Sequence, residues 1–123
     1  MLTIDEAMSL YPTLPRGARA RMSMRVFRDD EALVALARAA CEVAEVHVTP
    51  EGALAEGAAT SPDVCAEAFS RAQREQGKKA SKRLADSLET ALGDTERHFA
   101  MVRAMYALGF ALDARGELHE VER

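Results

Sequence analysis

The stretch Phe99 to Leu112, FAMVRAMYALGFAL, is apolar on nearly every side of a helix, with Arg103 as its one charge. Phe99, Val102, Tyr106 and Phe110 line one side, and Met101, Met105, Leu108 and Leu112 line another. Such a helix belongs at the centre of a core or is shared with a second chain. A competitor lies upstream. Leu33, Leu36, Ala37, Ala40, Val43 and Ala44 form a wide apolar face, against a narrow polar stripe of Glu31, Arg38, Glu42 and Glu45. A chain of 123 residues builds one hydrophobic core, and small domains seldom bury two such helices fully. The reading drawn here is that a second subunit or a partner covers part of the Met101–Met105–Leu108–Leu112 face, where methionine supplies adaptable apolar surface. Enclosure by the other helices of the same chain satisfies the burial requirement almost equally well.

The remaining pattern is helical. The chain holds 24 alanines and no tryptophan, and alanine is the best helix former. Thr3 and Glu6 have capping-box spacing and predict a helix over Ile4–Tyr11, stopped by Pro12. Asp29 and Asp30 suit a helix start, and Ser61-Pro62-Asp63 is a second one. From there Val64, Cys65, Ala68, Phe69 and Ala72, then Ala80, Leu84, Leu88 and Leu92, keep one phase. Either one helix kinked at Gly77 or two helices parted there fits that pattern. Gly93 and Asp94 separate it from the last helix. The connection Thr49–Pro62 holds either a hairpin, Val46–Val48 against Ala53–Ala55, or a helical turn. The C-terminus offers a frayed tail after Gly116 or a hairpin pairing Phe110–Leu112 with Leu118–Val121. Arg16–Arg28 alternates like a strand at Ala20, Met22, Met24 and Val26, yet Ala18, Met22 and Val26 also recur at helical spacing.

Net charge is −4, in blocks: +3 over residues 1–28, −8 over 29–67, +5 over 68–83 and −4 over 84–123. Alternating blocks steer partners without naming them. Every lysine lies in REQGKKASKRL, residues 74–84, and Arg71 just before it joins Arg74, Lys78 and Lys82 in one helical stripe of about 16 Å at the usual rise. Lys79 and Arg83 widen it. No aromatic is interleaved for base stacking and the domain as a whole is acidic, so the stripe reads first as a solvated helix face. Contact with an acidic protein surface is its second use and nucleic acid its third. On a strand, Arg19, Arg21 and Arg25 share one face and pose the same question for an anionic partner.

The histidines are His47, His98 and His119, and none sits in a Glu-x-x-His or His-x-x-x-His frame. Cys41 and Cys65 stand far apart, with no Cys-x-x-Cys, and are expected as buried free thiols. No metal site, cofactor loop or nucleophile motif appears, so the expectation is a non-enzyme without a cofactor. An enzyme using His98 or Cys65 ranks third among the readings.

The expected fold is one domain over residues 1–123, mainly α, a compact bundle of four or five helices with room for a minor strand or hairpin. The N-terminus is acidic and no apolar run is long enough to cross a bilayer, which points to the cytoplasm and away from membranes. The expected function is a regulator, adaptor or inhibitor that binds a protein partner and forms a homodimer. A winged-helix-like nucleic-acid regulator, built from Asp94–Leu112 and the hairpin around Asp113–Val121, stands second.

Overall fold

A computed structural model of the chain describes residues 1–121. Its helices are α1 (Ile4–Leu10), α2 (Arg16–Phe27), α3 (Asp30–Val43), α4 (Pro62–Gln76), α5 (Lys78–Ala91) and α6 (Asp94–Ala107). Two antiparallel hairpins accompany them, β1 (Val46–Val48) with β2 (Leu54–Glu56) and β3 (Phe110–Leu112) with β4 (Leu118–Glu120). The class is mainly α, with six helices instead of four or five.

Local signals set most boundaries. Thr3 accepts from the Glu6 N–H while the Glu6 carboxylate accepts from the Thr3 N–H, so α1 opens on a full capping box. The chain then tightens into a 3₁₀ turn at Tyr11–Thr13. Asp29 accepts from the N–H groups of Glu31 and Ala32, and Ser61 accepts from that of Val64. Each removes orphan donors from a helix start.

Arg16–Phe27 resolves as a helix. Met22 and Val26, one turn apart, are its buried residues. The helical spacing therefore overrode the alternation, because those two side chains find α3 and α6 to pack on. Gly77 breaks the third helix outright: its φ of +58° and ψ of −135° lie where only glycine rests without strain.

The two apolar helices are each other's partner. α3 packs chiefly on α6, with α4 on its other flank, α1 over α6, and α5 against α4 and β2. Ala37, Ala40, Ala100 and Ala104 are all fully buried, and such short side chains let the axes approach closely. The burial limit that suggested a surplus apolar face is met inside one chain, because alanine takes up so little volume.

Both hairpins are tied to helices. Ser87, the one buried polar residue of the described core, accepts from the Leu54 N–H at 2.9 Å and donates to the Leu84 carbonyl. Gly52, with φ +97°, lies so close to Ala80 that a Cβ there would come within 3.0 Å of the alanine's Cβ. The observed register pairs Val46 with Glu56 and Val48 with Leu54, one residue beyond the expected hairpin. At the C-terminus Phe110 pairs with Glu120 and Leu112 with Leu118. The Tyr106 hydroxyl donates to the Leu2 carbonyl and accepts from the Leu112 N–H, which clips the N-terminus to β3.

Candidate functional site

Making Arg16–Phe27 a helix separates arginines that a strand would have aligned. Positions 16, 19, 20, 23 and 27 face the α5–α6 corner, while 18, 21, 22 and 25 face the C-terminal hairpin. Arg19 therefore no longer shares a face with Arg21 and Arg25. On the hairpin side the Arg25 guanidinium sits 4.8 Å from the centre of the Phe110 ring, a cation–π contact.

The other side of α2 borders a cleft of about 560 Å³. One wall is α2, the opposite wall is α5, and the first turns of α6 with Tyr11 form the floor. Arg19 is held in place at two points: Nε donates to the Leu14 carbonyl at 3.2 Å and Nη1 to His98 Nε2 at 2.9 Å. Arginine can only donate, so Nε2 is the acceptor and the neutral imidazole carries its proton on Nδ1. Burial holds the His98 pKa below its ordinary value, helped by the positive charges of Arg19 and Arg97 and opposed by Asp94. The Tyr11 ring meets that of His98 edge-on, with centroids 5.6 Å apart. Burial pushes the Tyr11 phenol up, against the opposing pull of Ser23 and Arg19.

Charge around the cleft is divided. Arg16 and Arg19 stand on the α2 wall, and Asp86 and Glu89 on the α5 wall. Arg97 spends its charge on Asp94 within the first turn of α6. Among the described residues no ion pair joins the two walls.

The other residues singled out from the sequence fare differently. Met101, Met105 and Leu112 are interior, and Leu108 is partly covered beside them. Little of that apolar set is exposed: Met101 reaches the cleft with 5% of its surface, and Leu108 is half-buried. α6 is buried along Ala100, Met101, Val102, Ala104 and Met105, and among its outward side chains Arg103 is paired with Glu42 at 3.0 Å. The break at Gly77 divides the basic stripe, leaving Arg71 and Arg74 on α4 and Lys78, Lys79, Lys82 and Arg83 on α5. Arg74 pairs with Glu67 at 3.3 Å. Arg83 donates to Gln76 and to the Glu51 carbonyl, so it clamps the β1–β2 turn to the α4–α5 corner.

The cysteines are joined. Cys41 near the end of α3 and Cys65 in the first turn of α4 form a disulfide, their Cα atoms 6.7 Å apart. Free thiols were expected because the two lie 24 positions apart in sequence. The β1–β2 hairpin between them folds back and sets α4 beside the end of α3. Cys65 is 1% exposed and bonded, which leaves no free thiol for a Cys–His pair with His98.

One further cluster lies at the β3–β4 turn. Asp113, Glu117 and His119 each bring one potential metal ligand atom within 4.8 Å of the others. The Asp113 oxygens already accept from the N–H groups of Arg115 and Glu117 and pair with His119 Nε2 at 2.7 Å. These bonds pull the Asp113 pKa down to about 2, and they account for the cluster as the lock of the turn.

Comparison of the chain with protein-family models, with curated proteins and with solved structures finds no match. No helix of the described residues is long and apolar enough to cross a membrane.

The cleft combines residues that sequence reasoning treated separately or passed over. His98 and Arg19 were singled out, but for different reasons. Arg16 belongs to the basic run Arg16–Arg28 that the sequence shows, whereas Tyr11, Asp86 and Glu89 carried no local signal, since each reads as an ordinary turn or surface residue.

Proposed function

We propose that the chain is a non-enzymatic regulator or adaptor that binds an acidic protein surface through exposed cations. One observation carries the reading. Acidic residues outnumber basic ones by 20 to 16, yet the exposed Arg21, Arg28, Arg71, Lys78, Lys79 and Lys82 make no ion pair among the described residues. Cations left unneutralised in an acidic chain are available to a partner, and long-range attraction raises the rate of encounter. Lysine and arginine stems also cover apolar surface once docked.

Homodimerisation through Met101, Met105, Leu108 and Leu112 is not carried into this reading, because the chain's own helices cover those side chains. Exposed large apolar residues are scattered, at Met1, Met24, Val64 and Val121. Single exposed apolar residues are normal and make no interface.

The test is fluorescence anisotropy with labelled poly-L-glutamate and with a labelled random DNA duplex, across a salt series. The reading expects poly-glutamate to bind, more weakly as salt rises, and to lose at least about tenfold in Arg21→Glu/Arg28→Glu or Lys78→Glu/Lys79→Glu/Lys82→Glu. Circular dichroism establishes that each variant remains folded. Preferential binding of the duplex overturns the acidic-protein reading in favour of nucleic acid. Failure of both polymers to bind overturns the cation-mediated reading altogether.

A further inference from the structure

The divided cleft has a use that the outward cations do not supply. Arg16 and Arg19 face Asp86 and Glu89 across about 560 Å³, and no ion pair bridges the gap among the described residues. Opposite charges in one protein ordinarily find each other when side chains can reach. Here α2 and α5 stand on either side of α6, and Arg19 is already committed to Leu14 and His98. Its guanidinium is therefore preorganised, and a ligand does not have to order it. A bound anion would meet the remaining Arg19 donors and Arg16, while the acidic wall stays free for a cation. Between the walls Phe27, Leu88 and Met101 supply apolar lining. A pocket of a few hundred Å³ with apolar lining and a few placed polar groups is the usual form of a small-molecule site.

We infer that this cleft binds a small zwitterion bearing an α-carboxylate and an α-ammonium group, a free amino acid or a short peptide. The carboxylate pairs with Arg16 and Arg19, the ammonium with Asp86 and Glu89, and the side chain lies on Phe27, Leu88 and Met101. Neither charge by itself accounts for both walls. A simple anion leaves Asp86 and Glu89 facing it unfavourably, and a simple cation does the same with Arg16 and Arg19. His98 sits at the floor against Tyr11 and Arg19, with Arg97 and Asp94 on its own helix, so its ring resonances report on anything that touches Arg19.

The experiment follows the His98 ring by NMR during titration of the whole chain. The ligands are L-leucine, L-alanyl-L-leucine, N-acetyl-L-leucine and L-leucinamide, the last two each lacking one charge. The expected result is a saturable His98 shift with leucine or the dipeptide, and binding at least about tenfold weaker for both single-charge analogues. Whichever zwitterion binds more tightly distinguishes a free amino acid from a peptide. Glu89→Gln leaves the bonds of Arg19 untouched; it should weaken the zwitterion about tenfold and leave N-acetyl-leucine unchanged. Arg16→Ala should weaken both. Equal binding of leucine and N-acetyl-leucine overturns the inference in favour of an anion-only site. Absence of a saturable His98 shift with all four ligands also overturns it. Binding of poly-glutamate to the outward cations is read separately and stands or falls without this result.

Discussion

α3 with α6, and α2, show what burial leaves to a helix. On α6, Ala100, Met101, Val102, Ala104 and Met105 are buried, and α3 buries six residues of its own. α2 buries only Met22 and Val26, leaves Met24 49% exposed, and carries Arg16, Arg19, Arg21 and Arg25. The buried faces of the first pair are fixed by volume and tolerate no charge, and the ion pair between the two helices, Arg103 with Glu42 at 3.0 Å, lies at their half-exposed margin. The second helix is fixed by two apolar side chains and a few polar contacts, those of Arg19 and Arg25 among them, and leaves Arg16 and Arg21 exposed without an ion pair among the described residues. On the proposed function, stability rests on α3 and α6 while α2 offers cations for contact, and substitutions should divide along the same line.

The sharpest way to break this contrast is Met105→Glu. Met105 is 1% exposed, and an unpaired charge there should cost at least about 3 kcal/mol and in practice unfold the chain. Urea denaturation with light scattering checks it. A folded monomer arising from a wild-type dimer would instead place the residue at a subunit interface.

Next in size is the disulfide. Closing a loop across 24 positions between α3 and α4 should contribute about 3 kcal/mol by restricting the unfolded chain. Reduction, or Cys41→Ser/Cys65→Ser, should therefore lower the melting temperature while the rest of the core holds. Titration of thiols in protein unfolded without reductant should find none. Two titratable thiols would remove the bond, and would suit the cytoplasmic expectation better, since disulfides persist chiefly in oxidising compartments.

Ser87→Ala should cost about 1–2 kcal/mol, because the Leu54 N–H loses its acceptor in a buried position. An unchanged denaturation midpoint would show that β2 does not depend on α5 for its hydrogen bonding.

The smallest effect belongs to α2 and His98. The folded pKa of His98 lies below its unfolded value, so the unfolded chain takes up the proton first as pH falls. Its contribution is fully present above the unfolded value near 6.5 and is lost as pH drops through the folded pKa. Protonation also removes the acceptor that holds Arg19, which should loosen α2 before α3 or α6. Amide exchange at pH 7 and pH 5 reads this directly: protection on α2 should fall more than on α6. The reverse order would deny the link between His98 and α2.

Several elements were legible in the sequence because their causes are local. The Thr3–Glu6 box, the Asp29 and Ser61 caps and the apolar phase of Leu33–Ala44 each depend on neighbours within about one turn. Gly77 was visible as a weak point, but kink and break cost similar local energy; only packing of α4 and α5 on different partners chose the break. Arg16–Arg28 carried two compatible periods, and the buried positions of Met22 and Val26 chose the helix.

The sequence by itself determined a mainly helical chain with two strongly apolar helices and cations set apart from acids. Tertiary structure alone decided that those helices cover each other, that Cys41 meets Cys65, and that Arg19, His98 and Tyr11 converge opposite Asp86 and Glu89. The reason is physical. Periodicity reports which face of an element avoids water, whereas the partner of that face is fixed by volumes and chain paths over tens of residues, which no local pattern encodes.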